Sequence, residues 1–329
     1  MATSGTVGTT KIDTVTVIDH AVRRCGLTPS ILTPENLETA QNNLFLILSS
    51  IINRGVNLWC VDRIILPLRT DQATYSLPQG TLDILNALYR KPSLLEGATT
   101  QETNTWTTAF TATGFVTVRS VGIQFSQDGT YQVALERSDD GFAWTTVQTF
   151  DTTTIKKGSW LWYDVDPAPV SQYFRIRELA QGLANFSNTL YASGYSEVPM
   201  TPFSRDTYST LPNKTLPGTP LNYFFEKRVQ PLFTPWPVPN DDQANIMIWR
   251  QRQVQDVGEF SQQLELPDSW LECIIWALAD NLLYEMPGAD LNRAQAISAR
   301  HMQALQEAED GDTDSAPIYI YPNIRGYTA

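Results

Sequence analysis

Ser204-Arg205-Asp206-x-Tyr208-x-x-Leu211-Pro212-Asn213-Lys214-x-x-x-Gly218-x-Pro220, followed closely by Pro235-Trp236-Pro237-Val238-Pro239, is the stretch on which the reading of this chain turns. Neither block has the pattern of a catalytic motif. Proline is dense around them, at Pro199, Pro202, Pro212, Pro217, Pro220, Pro231, Pro235, Pro237 and Pro239. Proline lacks an N–H and fixes φ, so residues 200–265 are expected as ordered loops and edge segments rather than helix. Ile246-Met247-Ile248-Trp249 reads as a strand, extended by Arg250 to Asp256.

Working toward the N-terminus, the period changes twice. Residues 13–54 predict two helices. The first spans about Asp13 to Arg24, with Val15, Ile18, Ala21 and Val22 on one face, and Gly26 ends it. The second starts with Thr33 as N-cap, Pro34 at the first helical position and Glu35 in the first turn. It carries Leu37, Ala40, Leu44, Leu48 and Ile51 on one stripe. Phe45, Ile47 and Ile52 widen that stripe, which predicts cover on more than one side. Residues 56–95 turn to short strands, and after Glu96 the composition shifts abruptly: nine of the residues from Thr99 to Thr117 are threonine. Alternating segments then recur to about Leu179, separated by turn signals such as Asp128-Gly129 and Asp139-Asp140-Gly141. Strands at this spacing suggest a β-sandwich inserted over residues 97–195.

Toward the C-terminus, residues 267–286 predict the clearest helix, with Trp270, Cys273, Ile274, Ala277, Leu278, Asn281 and Leu282 sharing a face. Pro267 and Asp268 start it and Pro287-Gly288 ends it. A more polar helix follows, about Asp290 to Glu309, closed by an acidic run through Asp312. The tail carries Ile318, Tyr319, Ile320, Tyr321, Pro322, Ile324 and Tyr327. It is too aromatic for an ordinary solvent-facing tail. The expected fold class is therefore α+β and multidomain. Its parts are a core of residues 1–96 and 196–314, an inserted β-sandwich (jelly roll) and a C-terminal arm, 315–329.

With 329 residues, 42% of them hydrophobic, the chain can bury sizeable cores. Its net charge of −12 argues against a general nucleic-acid binder, which would carry a basic stripe. An acidic wall would instead let DNA slide past without sticking. Cys25, Cys60 and Cys273 are odd in number and far apart, which points to buried reduced thiols rather than a disulfide framework. With His20 and His301 the only histidines, a zinc site of histidine and cysteine is not expected. Met1 to Thr10 has no apolar run, and no stretch reaches the ~20 apolar residues that span a bilayer, so neither secretion nor membrane insertion is expected.

No P-loop, dinucleotide fingerprint, nucleophile elbow, HExxH or EF-hand loop is present, and nothing selects a pair of carboxylates for hydrolysis. No enzymatic activity and no cofactor are expected. Asp139-Asp140-Gly141 reads as a turn before it reads as a calcium site. Trp144, Trp160 and Trp162 are candidates for a glycan platform, against burial in the sandwich core as the plainer alternative. Glu307, Glu309, Asp310 and Asp312 read first as a solvated helix end.

Two resemblances follow from these motifs. Val133-Ala134-Leu135-Glu136-Arg137-Ser138-Asp139-Asp140-Gly141-x-x-Trp144, then Tyr163-Asp164-Val165, then Tyr173-Phe174-Arg175-Ile176-Arg177, resemble a discoidin-like, galactose-binding-type jelly roll. Over roughly two thirds of the chain, residues 13–95 and 196–325 resemble the head-to-tail adaptor family of short-tailed phages, also called packaged-DNA stabilisation proteins. The carriers are Val17-Ile18-x-x-Ala21-x-x-Arg24-Cys25-Gly26-Leu27 with Leu32-Thr33-Pro34-Glu35, then Ala73-Thr74-Tyr75-Ser76-Leu77-Pro78-x-x-Thr81-Leu82-Asp83-Ile84-Leu85. After them come the two opening blocks and Leu266-Pro267-x-x-Trp270-Leu271 with Leu278-Ala279. The inserted β domain departs from the compact family pattern.

The adaptor resemblance implies a homo-oligomeric ring, expected to be a dodecamer, beneath the portal protein. A tail tube or nozzle protein would lie below, and packaged double-stranded DNA would pass through without sequence-specific binding. It implies no membrane partner and a place in the virion neck after synthesis in the host cytoplasm. Under it, the tail from Ile318 to Tyr327 would dock on the portal, and Glu307, Glu309, Asp310 and Asp312 would line the channel. A carbohydrate-binding or decorating role through the β insert is the alternative.

Overall fold

The computed structural model describes residues 12–52, 58–100, 109–151, 153–179, 186–254 and 261–312. The chain divides into two compact units, Met1–Val61 with Gln251–Ala329, and Asp62–Arg250. Strand exceeds helix among the described residues.

The first unit is helical and draws on both ends of the chain. Asp13 caps helix Thr14–Arg24, its Oδ1 accepting the Thr16 N–H at 2.9 Å. Hydrogen bonds from the Thr16 side chain and backbone hold the Asp13 carboxyl below the ordinary carboxylate range. Thr14, Val17, Ile18, Ala21 and Val22 are buried, whereas Val15 faces outward, so the buried stripe starts at Thr14 rather than at Val15. Gly26 follows at φ +83°, the left-handed position that glycine tolerates. Helix Pro34–Ile52 begins at Thr33 as expected. Ile47 joins its buried stripe, but Phe45 is exposed, so the cover expected on that side is not there.

Helix Asp268–Glu285 is the centre of this unit. Trp270, Cys273, Ile274, Ile275, Ala277, Leu278, Ala279, Leu282 and Leu283 are all buried. The sequence predicts one face that includes Asn281 and ends at Leu282. Instead Asn281 is exposed and burial extends round the cylinder, because helices 14–24, 34–52 and Ala294–Gly311 all pack against this one. The last helix contributes Ile297, Ala304, Leu305 and Ala308 to the same core, with Ala294 packed against it, and most of its other residues are exposed. A 3₁₀ turn, Leu291–Arg293, precedes it, capped by Asp290.

The second unit is β. A six-stranded sheet runs in the spatial order Val61–Pro67, Asn245–Arg252, Thr81–Leu94, Phe186–Pro199, Ser120–Phe125 and Trp160–Asp164. Its two edges approach each other: Arg63 lies 3.3 Å from Asp164, and Ile65 packs with Trp160 and Trp162. The sheet therefore coils on itself, as strongly twisted sheets do. A five-stranded antiparallel sheet runs Gly97–Thr100, Ala109–Thr117, Val170–Glu178, Val133–Ser138 and Thr145–Thr149.

Phe110, Leu135, Phe174 and Ile176 from this sheet share one core with Val121, Ile123, Phe125 and Tyr191 from the six-stranded sheet. The arrangement is a β-sandwich. Each fully buried Phe or Ile of that core contributes about 1.5–3 kcal/mol. A four-stranded sheet, Thr201–Phe203, Asn222–Glu226, Leu232–Trp236 and Tyr75–Ser76, completes the unit with two short strand pairs.

The expected boundary at 97 coincides with the start of strand 97–100, whereas the one at 195 falls inside strand 186–199. Strand 186–199 pairs with 81–94 on one side and with 120–125 on the other. Strand 81–94 ends before residue 97, yet it pairs with strand 186–199 on both sides of residue 195, so one sheet is shared between the expected core and the expected insert.

Candidate functional site

The two blocks that open the sequence reading fold against each other. Ser204 caps a single helical turn, Arg205–Ser209, its Oγ accepting the Thr207 N–H at 3.1 Å. The turn presents Tyr208, whose ring stacks on Phe224 at 4.6 Å between centroids and 5° between planes. Burial, with the nearby Glu226 adding to it, raises the Tyr208 hydroxyl above its ordinary range. Lys214 Nζ lies 5.5 Å from the Tyr208 ring and donates to the Ser209 carbonyl at 3.1 Å.

Asn213 Oδ1 accepts from the Thr215 N–H and hydroxyl, at 3.0 and 3.1 Å, and its carbonyl accepts the Trp236 indole N–H at 3.0 Å. Val238 N–H donates to the Leu216 carbonyl at 2.8 Å, and Pro217–Gly218 pairs in parallel with Val238–Pro239. A Cβ on Gly218 would stand 3.2 Å from Pro237 Cβ, so glycine permits the close approach of the blocks.

The motif is thus a fastening. Its residues hold an outward loop that is mostly exposed, with Arg205, Asp206, Pro212, Asn213 and Lys214 at the surface. Leu216 and Leu221 are 42% and 46% exposed beside them. Pro235 sits in strand 232–236, and the neighbouring strand 75–76 pairs only with Leu232 and Phe233, so no ladder bond is lost at the proline.

The glycan platform does not form. Trp160 and Trp162 are 3% and 2% exposed and stack on one another at 6.2 Å inside the coiled sheet. Gly122 lies directly beneath Trp162, where a Cβ would be 2.6 Å from the ring. Trp144 is half-buried under the Arg175 guanidinium, 4.2 Å from its ring centroid. Aromatic residues at alternate positions of a strand face one side together, and here that side is the interior.

The Asp139-Asp140-Gly141 segment is a turn. Asp140 Oδ1 accepts from Ser138 Oγ, Phe142 N–H and Ala143 N–H at 2.8–2.9 Å. The Ala143 and Phe142 bonds hold its carboxyl below the ordinary range. Gly141 is at φ +79°. At its tip Phe142 is 90% exposed, beside a depression lined by Arg137, Asp139 and Thr145. Among the described residues, no group of three or more His, Cys, Asp or Glu could hold a metal ion.

Glu307, Glu309 and Asp310 are exposed at the end of the last helix and Asp312 is half-buried beyond it, in a last turn without a basic residue. His20 is exposed. The tail residues Ile318 to Tyr327 lie outside the described residues. Sequence reasoning missed an ionic cluster around the buried Arg90. The Arg90 guanidinium lies 3.7 Å from the Tyr195 ring centroid and pairs with Glu197 at 2.7 Å and Asp164 at 3.4 Å. Its members come from three distant segments, and no local spacing announces them.

No protein-family model and no curated protein matches the chain. Solved structures with local similarity include the C-terminal domain of a chitobiase from Bacteroides fragilis, at 15% identity and TM-score 0.22. That match covers 28% of this chain and 63% of that one, so this chain spans less than two thirds of the chitobiase domain. An F5/8 type C domain from Bacteroides fragilis matches at 11% identity and TM-score 0.24, covering 37% of this chain and 97% of that one. CBM32-1 of a family 31 glycoside hydrolase from Clostridium perfringens matches at 12% identity and TM-score 0.23, covering 42% and 97%. Similarity at this level assigns no function to the chain.

Proposed function

We propose that this chain is a structural protein of a short-tailed phage particle, a head-to-tail adaptor that assembles as a ring beneath the portal. The ring would connect the portal to the tail tube or nozzle and let packaged DNA pass. The observation that carries the reading is the fastening of residues 204–220 on 235–239. The motif residues behind the resemblance spend their hydrogen bonds and stacking on holding an exposed loop rigid. Rigid exposed loops suit assembly, because little ordering entropy is lost on docking.

Two further features agree with it. Both ends of the chain belong to one helical unit, and residues 315–329 would serve as the arm toward the portal. The exposed acidic helix end at Glu307, Glu309 and Asp310, with Asp312 beside it, suits a channel wall that repels phosphate. The test is mass photometry of the full chain with the portal ring encoded beside it. A portal-plus-ring mass that disappears when residues 315–329 are deleted is expected. No change of mass with the full chain would sink the reading.

A second reading, glycan binding through the β-sandwich, draws on the depression lined by Arg137, Asp139 and Thr145 and on the exposed Phe142 of the adjoining turn, rather than on the three tryptophans. An aromatic face next to charged and hydroxyl groups suits a sugar ring. The full chain titrated with a glycan array should then lose its signal in Phe142→Ala and keep it in Trp160→Phe. An array without signal removes this reading.

A further inference from the structure

The fastened loop differs from the rest of the chain in charge. Residues 204–221 carry Arg205 and Lys214 against Asp206, a net of +1. The whole chain is −12, which leaves −13 on the remainder. Lys227 pairs with Asp83 at 2.8 Å and Arg228 with Glu226 at 2.6 Å. Arg205 and Lys214, both exposed, have no carboxylate partner among the described residues. In the same loop Leu216 and Leu221, large apolar side chains, are left nearly half exposed, and the backbone at both is tied down, the Leu216 carbonyl accepting from Val238 N–H and the Leu221 N–H donating to the Trp236 carbonyl. A fastened loop with cations free of carboxylate partners and two exposed leucines fits an acidic partner.

We propose that residues 204–221 dock one copy of this chain onto the acidic surface of a second copy, head to tail. The proposal rests on the adaptor reading and names the surface that the reading leaves open. Like charges oppose the pairing of two such loops about a two-fold axis. The loop of one copy instead meets a different, negative surface of the next. A contact of this kind leaves a free loop at one end and a free acceptor at the other, so it repeats until it closes as a ring.

The experiment uses the full chain, alone and with portal rings, followed by sedimentation velocity and mass photometry at low and high salt. R205E/K214E tests the cations, and L216A/L221A tests the two leucines with the charge unchanged. All four positions are exposed, and far-ultraviolet circular dichroism checks that the variants fold. Wild type is expected to form assemblies larger than dimers, weakened by salt, and each variant to weaken them roughly tenfold or more.

Assembly of both variants at wild-type strength, or wild-type assembly that stops at a symmetric dimer, overturns the docking surface. If R205E/K214E adds to portal rings in the same copy number as wild type, the surface is wrong while the adaptor reading stands. If wild type neither self-assembles nor adds to the portal, the adaptor reading fails and the docking proposal fails with it.

Discussion

The helical unit gathers its apolar side chains around one helix, while the β unit divides its own among separate clusters. Helix 268–285 touches each of the other three long helices, so the N-terminal pair has no core without a segment more than two hundred residues away. In the β unit the sandwich core, the cluster under the four-stranded sheet and the tryptophan cluster are distinct. The difference predicts concentrated fragility in one unit and distributed resistance in the other.

The cysteines give a probe specific to one side of this comparison. Cys25, Cys60 and Cys273 all belong to the helical unit and are all buried. Burial pushes the Cys25 thiol up to about 11 and the Cys60 thiol up to about 12, so almost no thiolate is present at neutral pH. Thiol labelling therefore follows opening of the helical unit alone. Trp270→Ala should produce the largest effect, about 3–5 kcal/mol on the helical unit, with faster labelling and an unchanged β transition in urea. If both transitions move together, the units are not independent.

Gly122→Ala should act on the other unit. Its Cβ meets the Trp162 ring, and overpacking of this kind costs about 1–3 kcal/mol. Near-ultraviolet circular dichroism should change while thiol labelling does not. Ser204→Ala should be smaller, about 1 kcal/mol and local. It should speed hydrogen exchange at the Thr207 amide, and an unchanged rate would mean the loop is held without its cap.

Acid separates the units at the level of single turns. The carboxyls of Asp13 and Asp140 both lie below their ordinary value, so their contributions are present above the unfolded carboxylate range and fade as pH falls through the folded values. Below about pH 4, amides of Phe142 and Ala143 in the β unit and of Thr16 in the helical unit should shift in NMR titrations. Asp140→Asn should abolish only the first set. Smallest of all, removing the exposed Asp83–Lys227 pair should change stability by no more than about 0.5 kcal/mol.

Helices were legible in the sequence because their signals are local. Asp13, Thr33, Pro34 and Gly26 mark ends, and a 3.6-residue period marks faces. The period misplaced Val15 and Asn281, since it cannot say how many neighbours a helix has. The sandwich was legible as alternation, but its limits were not, because pairing of strand 186–199 with 81–94 depends on residues about a hundred positions apart. The fastened loop was visible as a motif, and its construction was not: nothing in the spacing says that Trp236 will reach the Asn213 carbonyl. The tryptophan candidates failed for a related reason, as alternation gives a shared side without saying which side is outside.

Strands Val61–Pro67 and Asn245–Arg252 are neighbours in the six-stranded sheet, and the chain passes between the units only at their ends. A pull applied to the two ends of the chain would therefore load the helical unit first. The β unit, which the chain enters and leaves through two paired strands, would bear tension only after the helices had given way.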